Sequence, residues 1–121
     1  MKVRIKGNSV RYRLSKSEVA KFGEFGALTE TTETLGETFC YQLLRAPVDT
    51  LTVHFHQNTL TFSIPLAIAQ TWVQTEEIGY SHKLQLPNGT EVYLLIEKDF
   101  VCIDNTFEDQ SDNYPNPNAA C

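Results

Sequence analysis

The stretch MKVRIKGNSVRYRL, residues 1–14, alternates charged and apolar side chains through two short runs that a polar turn separates. This alternation predicts a β-hairpin, because successive side chains of a strand point to opposite faces. A two-residue loop at Asn8-Ser9 would place Arg4 opposite Arg13. In that register one face of the hairpin is apolar and buried, and the other face is basic. The buried set is Val3, Ile5, Val10, Tyr12 and Leu14, and the basic set is Lys2, Arg4, Lys6, Arg11 and Arg13.

These five basic residues form the candidate ligand site. Like charges directly opposite each other in a sheet destabilise it, so the predicted Arg4/Arg13 and Lys6/Arg11 pairs need a counter-anion. One source of that anion is an external partner, which would be a phosphate- or carboxylate-rich small molecule or an acidic protein segment. The other source is the chain's own carboxylates.

The composition is that of one folded domain spanning residues 1–121, with 41% hydrophobic and 21% charged residues. The net charge of −5 is unevenly distributed, since residues 1–21 carry +6 and the remainder carries −11. An acidic body repels nucleic acid at long range, which makes nucleic acid an unlikely partner.

The chain offers no membrane segment by its sequence. Residues 1–5 lack the apolar core of a signal peptide, and the longest apolar run, residues 92–96, is too short to cross a bilayer. Three cysteines, Cys40, Cys102 and Cys121, without C-x-x-C spacing favour reduced thiols over a disulfide framework. We therefore expect a cytoplasmic protein that has no membrane partner.

Two short helices are predicted after strands. Ser15 and Glu18 have the spacing of a capping box, and Gly23 is expected to end the helix that follows. A second helix is predicted from Pro65 to Gln74, with an apolar stripe that includes Leu66, Ala69, Trp72 and Val73.

Three further hairpins are predicted, with loops near Leu35-Gly36, at Gln57-Asn58 and at Pro87–Gly89. The second loop places Val53 opposite Phe62 and Phe55 opposite Leu60, with all four side chains in the core, and the third places His82 opposite Leu94. About eight strands in hairpins and two helices indicate a mainly antiparallel α+β domain. Eight strands are also enough to close into a barrel.

Residues 104–121 form an acidic tail that contains two prolines. Between Glu97 and Asp112 the net charge is −5, which nearly balances the +6 of residues 1–21. We therefore predict that the tail packs back over the basic hairpin and competes with any outside polyanion.

The opening KVRIKGNSVRYRLSKSEV and the closing LLIEKDFVCIDNTFEDQSDNYPNPN resemble a family of small uncharacterised bacterial proteins, a domain of unknown function. The resemblance covers nearly the whole chain and implies no activity and no catalytic residue. Cys121 lies outside the family pattern.

An enzymatic alternative is a metal-dependent, hydrolase-like activity that uses His54, His56 and the tail carboxylates, since the two histidines share one strand face. Surface histidines are the simpler interpretation, and we expect no metal site and no cofactor. Triphosphate-tunnel enzymes also line a β-barrel with basic residues, but their first strand carries an E-x-E-x-K motif for metal, where this chain has KVRIK. His82 is expected to be structural, because no nucleophile motif accompanies it.

Overall fold

The computed structural model describes residues 1–100 and 111–115. In chain order the elements are β1 (Lys2–Ile5), β2 (Ser9–Leu14), α1 (Lys16–Phe25), β3 (Ala27–Thr32), β4 (Phe39–Ala46), β5 (Thr52–His56), β6 (Thr59–Pro65), α2 (Leu66–Gln74), β7 (Gly79–Gln85) and β8 (Glu91–Lys98). These eight strands and two helices confirm the predicted α+β class.

Within the described residues, the strands form two four-stranded sheets and do not close into a barrel. The first sheet has the order β1-β2-β8-β7, and the second has the order β3-β4-β6-β5. Hairpin partners are antiparallel, but β2 runs parallel to β8 and β4 runs parallel to β6. Apolar side chains of both sheets share one core, in which the ring centroids of Tyr12 and Phe62 lie 4.9 Å apart.

The two halves of the chain repeat one ββαββ unit, which the sequence did not lead us to expect. Strands β1 to β4 of the first unit correspond to β5 to β8 of the second. When each strand is replaced by its equivalent, the order β1-β2-β8-β7 becomes β5-β6-β4-β3, which is the second sheet read from its other edge. Equivalent residues in the first part of each unit lie fifty positions apart, as in the pairs Tyr12/Phe62 and Phe22/Trp72. The repeat is therefore visible in topology although few residues are shared.

Helix α1 begins at the predicted capping box, in which the backbone N–H of Ser15 donates to the Glu18 carboxylate at 2.9 Å. It ends at Gly26 and not at Gly23 as predicted, because Gly26 adopts the left-handed conformation at φ 72°. Gly23 remains helical, and a side chain there would collide with Val73 of α2. Gly23 therefore serves close helix packing, not helix termination.

Helix α2 ends at Gln74 as predicted, but it begins at Leu66, because Pro65 ends β6 and precedes the helix as its N-cap. The contact of α2 with α1 includes an edge-to-face pair of Phe22 and Trp72 at 6.1 Å. Trp72 is fully buried, as predicted, and its Nε1 donates to the backbone oxygen of Ile78 at 2.9 Å. The prediction that Leu66 belongs to the buried stripe is wrong. Its side chain is 51% exposed because it begins the helix, at the rim of the cleft between α1 and α2.

The two later hairpins have the predicted registers around their tight loops. Val53 lies opposite Phe62, and His82 lies opposite Leu94. Phe55 is also in register, but its predicted burial is wrong, because it is 62% exposed near the end of an edge strand. It instead stacks on Phe39, with 5.9 Å between ring centroids.

The first hairpin turns one residue earlier than predicted, at Gly7-Asn8. Lys6 and Ser9 exchange backbone hydrogen bonds of 3.2 and 3.1 Å across this loop. Gly7 takes φ +54°, a conformation that glycine adopts with little strain, so the loop centres there and not on Asn8-Ser9. Arg4 consequently lies opposite Arg11 instead of Arg13. The pairing slips by two residues, so the predicted alternation of faces is kept. The predicted burial of Ile5 is wrong, because its side chain is 57% exposed at the end of the edge strand β1.

Candidate functional site

The five predicted site residues lie together on the outer side of the first sheet, which we call the basic face. In β2 the residues Val10, Tyr12 and Leu14 are buried, and the intervening Arg11 and Arg13 are only partly covered. The alternating side-chain directions of β1 and β2 bring these two residues together with Lys2, Arg4 and Lys6. These five side chains therefore share one face of the first sheet, and their role as a ligand site stays a prediction.

One carboxylate on the neighbouring strand β8, that of Glu97, forms ion pairs with two arginines. Arg13 Nε donates to Glu97 Oε1 at 2.6 Å, and Arg11 Nε lies 2.7 Å from the same oxygen without hydrogen-bond geometry. Lys2 Nζ lies 2.9 Å from Asp99 Oδ2, just beyond the end of β8. Part of the positive charge is therefore neutralised internally.

Arg4 and Lys6 have a different environment from the other three cations. Both side chains are exposed, and among the described residues no carboxylate lies within ion-pair distance of either one. Arg4 also faces Arg11, a like charge, directly across the hairpin. Within residues 1–100 and 111–115, this half of the basic face therefore carries a net positive charge.

Two shallow grooves flank Arg4 and Arg11. The first has a volume of about 290 Å³ and is lined by Arg4, Lys6, Ser9, Val10, Arg11, Tyr93 and Leu95. The second has a volume of about 230 Å³ and is lined by Lys2, Val3, Arg4, Arg11 and Arg13. Guanidinium groups at both grooves can donate paired hydrogen bonds to a phosphate or carboxylate. This arrangement is suited to binding an anion.

The two histidines of the enzymatic alternative lie elsewhere. His54 and His56 are exposed on the outer side of the second sheet, where the repeat makes them equivalent to Arg4 and Lys6. In residues 1–100 and 111–115, no three His, Cys, Asp or Glu side chains are placed to hold a metal ion. The tail acids Asp104, Glu108 and Asp109 lie outside the described residues.

The described part of the tail, residues 111–115, packs against α1 and the end of β8. Asp112 accepts hydrogen bonds from the backbone N–H and hydroxyl of Ser17 at 3.2 and 2.6 Å, and its own carbonyl accepts from the Lys16 N–H at 3.0 Å. The hydroxyls of Ser15 and Ser17 hold the pKa of Asp112 below its ordinary value. Asp112 thus caps the first turn of α1 from a distant part of the chain.

Tyr114 forms the second anchor of this segment. Its ring lies 5.6 Å from that of Phe100, and its backbone N–H donates to the Asp99 carbonyl at 2.8 Å. The predicted packing of the tail on the basic hairpin concerns mainly residues 104–110 and 116–121, which lie outside the described residues. Asp112 contacts α1, and Tyr114 contacts the residues that directly follow β8.

Lys98 is the most deeply buried lysine among the described residues, at 5% exposure. Burial lowers its pKa, and Nζ donates to the backbone oxygen of Thr75 at 2.7 Å. Thr75 ends α2, so a cation here meets the negative end of the helix dipole. The cavity of about 420 Å³ beside Lys98 therefore borders an amine that already has a structural partner.

Sequence reasoning missed the contribution of β8 to the basic face. The alternation Val92, Leu94, Ile96 assigns those residues to the core and places Tyr93 and Glu97 outside. That pattern was available, but the parallel pairing of β2 with β8 joins strands separated by most of the chain. Only this pairing brings Glu97 beside Arg13. The signal for Asp112 was weaker still, because a cap donated from a distant segment has no local pattern.

Other sequence-based expectations concern cysteines and membrane segments. Cys40 is a free thiol on β4, while Cys102 and Cys121 lie outside the described residues. No helix in the described part of the chain is long and apolar enough to cross a bilayer.

Comparison with known proteins identifies a family for this chain. Neither the curated proteins nor the solved structures contain a significant match to this chain. The model of the family described as "Family of unknown function (DUF7009)" matches residues 1–118, nearly the whole sequence. The resemblance predicted from the two ends is confirmed, and the chain belongs to this family of unknown function.

Proposed function

We propose that the protein is a non-enzymatic binding module whose basic face holds a small anionic ligand. The observation that carries this proposal is the Arg4–Arg11 pair, two guanidinium-bearing residues directly opposite each other. Glu97 contacts Arg11, but Arg4 and Lys6 have no carboxylate partner among the described residues. An anion between Arg4 and Arg11 would relieve their mutual repulsion.

The geometry favours a phosphate group as the bound anion. Arginine presents a planar set of donors that matches phosphate oxygens, and Lys6 adds a mobile point charge at the rim of the same groove. The groove is shallow and open, so we expect binding that weakens strongly as salt is raised. The acidic net charge of the chain argues for a small ligand over a nucleic acid. A cytoplasmic location stays a prediction from the cysteine content.

The test is a calorimetric titration with inorganic tripolyphosphate at low and at physiological salt. The double variant Arg4→Gln/Lys6→Gln should lose affinity by about tenfold or more, because charge-assisted hydrogen bonds contribute roughly 1.5–3 kcal/mol each. The matched control is Lys21→Gln, which removes one charge from the exposed side of α1 and should leave affinity nearly unchanged. Equal binding by the wild type and the double variant, or no binding by the wild type, would reject the proposal.

A further inference from the structure

The first groove, which Arg4 also lines, contains an aromatic side chain that lies outside the hydrophobic core. Strand β8 directs Val92, Leu94 and Ile96 into the core, while Tyr93 points to the outer side and remains 42% exposed. Exposure of a large aromatic side chain next to clustered cations is typical of sites that stack a planar ring while binding its phosphate.

The neighbours of Tyr93 leave this ring accessible. Its partner on β2 is Ser9, a small residue, and its partner on β7 is Lys83. Leu95 follows on the same face and, with Tyr93, gives the groove an apolar floor. The Tyr93 backbone N–H donates to the Asn8 carbonyl at 3.0 Å, and the Asn8 amide donates to the Glu91 carbonyl. The hairpin turn thus holds this end of β8 in place.

The separation between this floor and the cations suits a bipartite ligand. Tyr93 lies on the third strand and Arg4 lies on the first, two strand spacings away, which corresponds to about 10 Å across the sheet. Arginine side chains can shorten this distance by extending along the surface. A planar ring and a phosphate joined by a sugar-sized spacer can therefore reach both places at once.

Building on the proposed function, we infer that the first groove selects phosphorylated compounds that carry a planar ring, of the nucleoside monophosphate class. Arg4, Lys6 and Arg11 hold the phosphate, and Tyr93 with Leu95 supports the ring. The aromatic contact then provides selectivity among phosphates that the cations alone cannot distinguish.

The experiment compares AMP, ribose 5-phosphate and inorganic phosphate as probes in calorimetric or NMR titrations of the full chain. AMP should bind about tenfold more tightly than ribose 5-phosphate, because stacking of a base on an aromatic ring contributes this order of affinity. Tyr93→Ala should remove the difference between the two probes, and Tyr93→Phe should retain it. Arg4→Gln/Lys6→Gln should weaken all three probes.

Equal affinity of the wild type for AMP and ribose 5-phosphate would overturn the ring selectivity and leave the proposed anion site standing. The same conclusion would follow if Tyr93→Ala, folded as judged by circular dichroism, kept the preference for AMP. If none of the three probes binds the wild type although tripolyphosphate does, the inference fails and the proposed anion site stands. If tripolyphosphate does not bind either, the proposed function fails and the inference fails with it.

Discussion

Tyr12 and Phe62 occupy equivalent positions in the two repeats, and their ring centroids lie 4.9 Å apart where the two sheets meet. Tyr12 is fully buried, and its hydroxyl donates to the backbone oxygen of Leu60 at 3.0 Å. The first sheet is thereby tied to the second by an apolar contact and a hydrogen bond from a single side chain. Burial raises the pKa of Tyr12 well above its ordinary value, so the hydroxyl stays protonated and remains a donor.

Tyr12→Phe should lower the free energy of unfolding by about 1 kcal/mol, since it removes the hydrogen bond to Leu60 and keeps the ring. Chemical denaturation measures this loss. Tyr93→Phe is the matched control, because it deletes the same atom from an exposed ring and should change stability by less than about 0.5 kcal/mol. Equal stability of the wild type and Tyr12→Phe would show that the hydroxyl does not help to join the sheets.

The elements predicted correctly from sequence are those that short-range chemistry determines. The loop at Pro87–Gly89 and the loop at Gln57-Asn58 gave correct registers, because their residues adopt the backbone angles that those turns require. In the first hairpin two adjacent loops were chemically acceptable, and the one that uses Gly7 is formed. Local sequence therefore predicted the hairpins, the helices and the face of each strand.

The arrangement of the hairpins into sheets could not be predicted in this way. The parallel pairs β2–β8 and β4–β6 depend on how the complete core packs, and alternation within a strand does not identify its neighbour. The same limit explains why Phe55 was assigned to the core: its direction was correct, but nothing in the sequence shows that the end of β5 is left uncovered. It also explains the candidate site: Glu97 was counted among the acids that balance the hairpin, but its position on a strand directly beside Arg13 was not predicted.

Glu97→Gln should increase the affinity of the basic face for tripolyphosphate and decrease the stability of the fold. Glu97 Oε1 contacts both Arg11 and Arg13, so its neutralisation releases two guanidinium groups for an outside anion. The loss of stability should be about 1 kcal/mol, because the glutamine oxygen can still accept from Arg13 and only the charge of the ion pairs is removed.

Titration and chemical denaturation of the same sample give both quantities. Glu91→Gln is the control, since it makes the same substitution at an exposed position of the same strand and should have little effect on stability. Unchanged affinity in folded Glu97→Gln would mean that internal ion pairing does not limit access to the face.

The docking of residues 111–115 on α1 should depend on pH through Asp112. The Ser15 and Ser17 hydroxyls stabilise the carboxylate and hold its pKa below the ordinary value. Because the pKa is depressed, the stabilisation that the Asp112 carboxylate gives to the docked segment is fully present above the ordinary aspartate pKa. This stabilisation is lost as the pH falls through the lowered pKa. We therefore expect the segment to detach only in acid, below the pH at which a free aspartate titrates.

The NMR chemical shift of the Ser17 backbone amide reports this change, because that amide donates to Asp112. The shift is measured in a titration from pH 7 downward. Asp112→Asn should remove the low-pH transition, and Asp49→Asn, at an exposed loop position, should leave it in place. A transition at or above the ordinary aspartate pKa would contradict the assignment.

Neutralising the remaining tail acids should show whether the tail guards the basic face. Because Asp112 and Tyr114 anchor the tail on α1 and β8, truncation would disturb the fold along with the charge. The variant Asp104→Asn/Glu108→Gln/Asp109→Asn removes three charges and leaves both anchors intact.

If the tail competes for the basic face, this variant should bind tripolyphosphate more tightly than the wild type. The gain should be largest at low salt, because attraction between exposed charges is screened beyond roughly 8 Å at physiological ionic strength. Equal affinity of the two folded proteins at low salt would show that the counter-anions of this face are Glu97 and Asp99, and that the tail serves to cap α1.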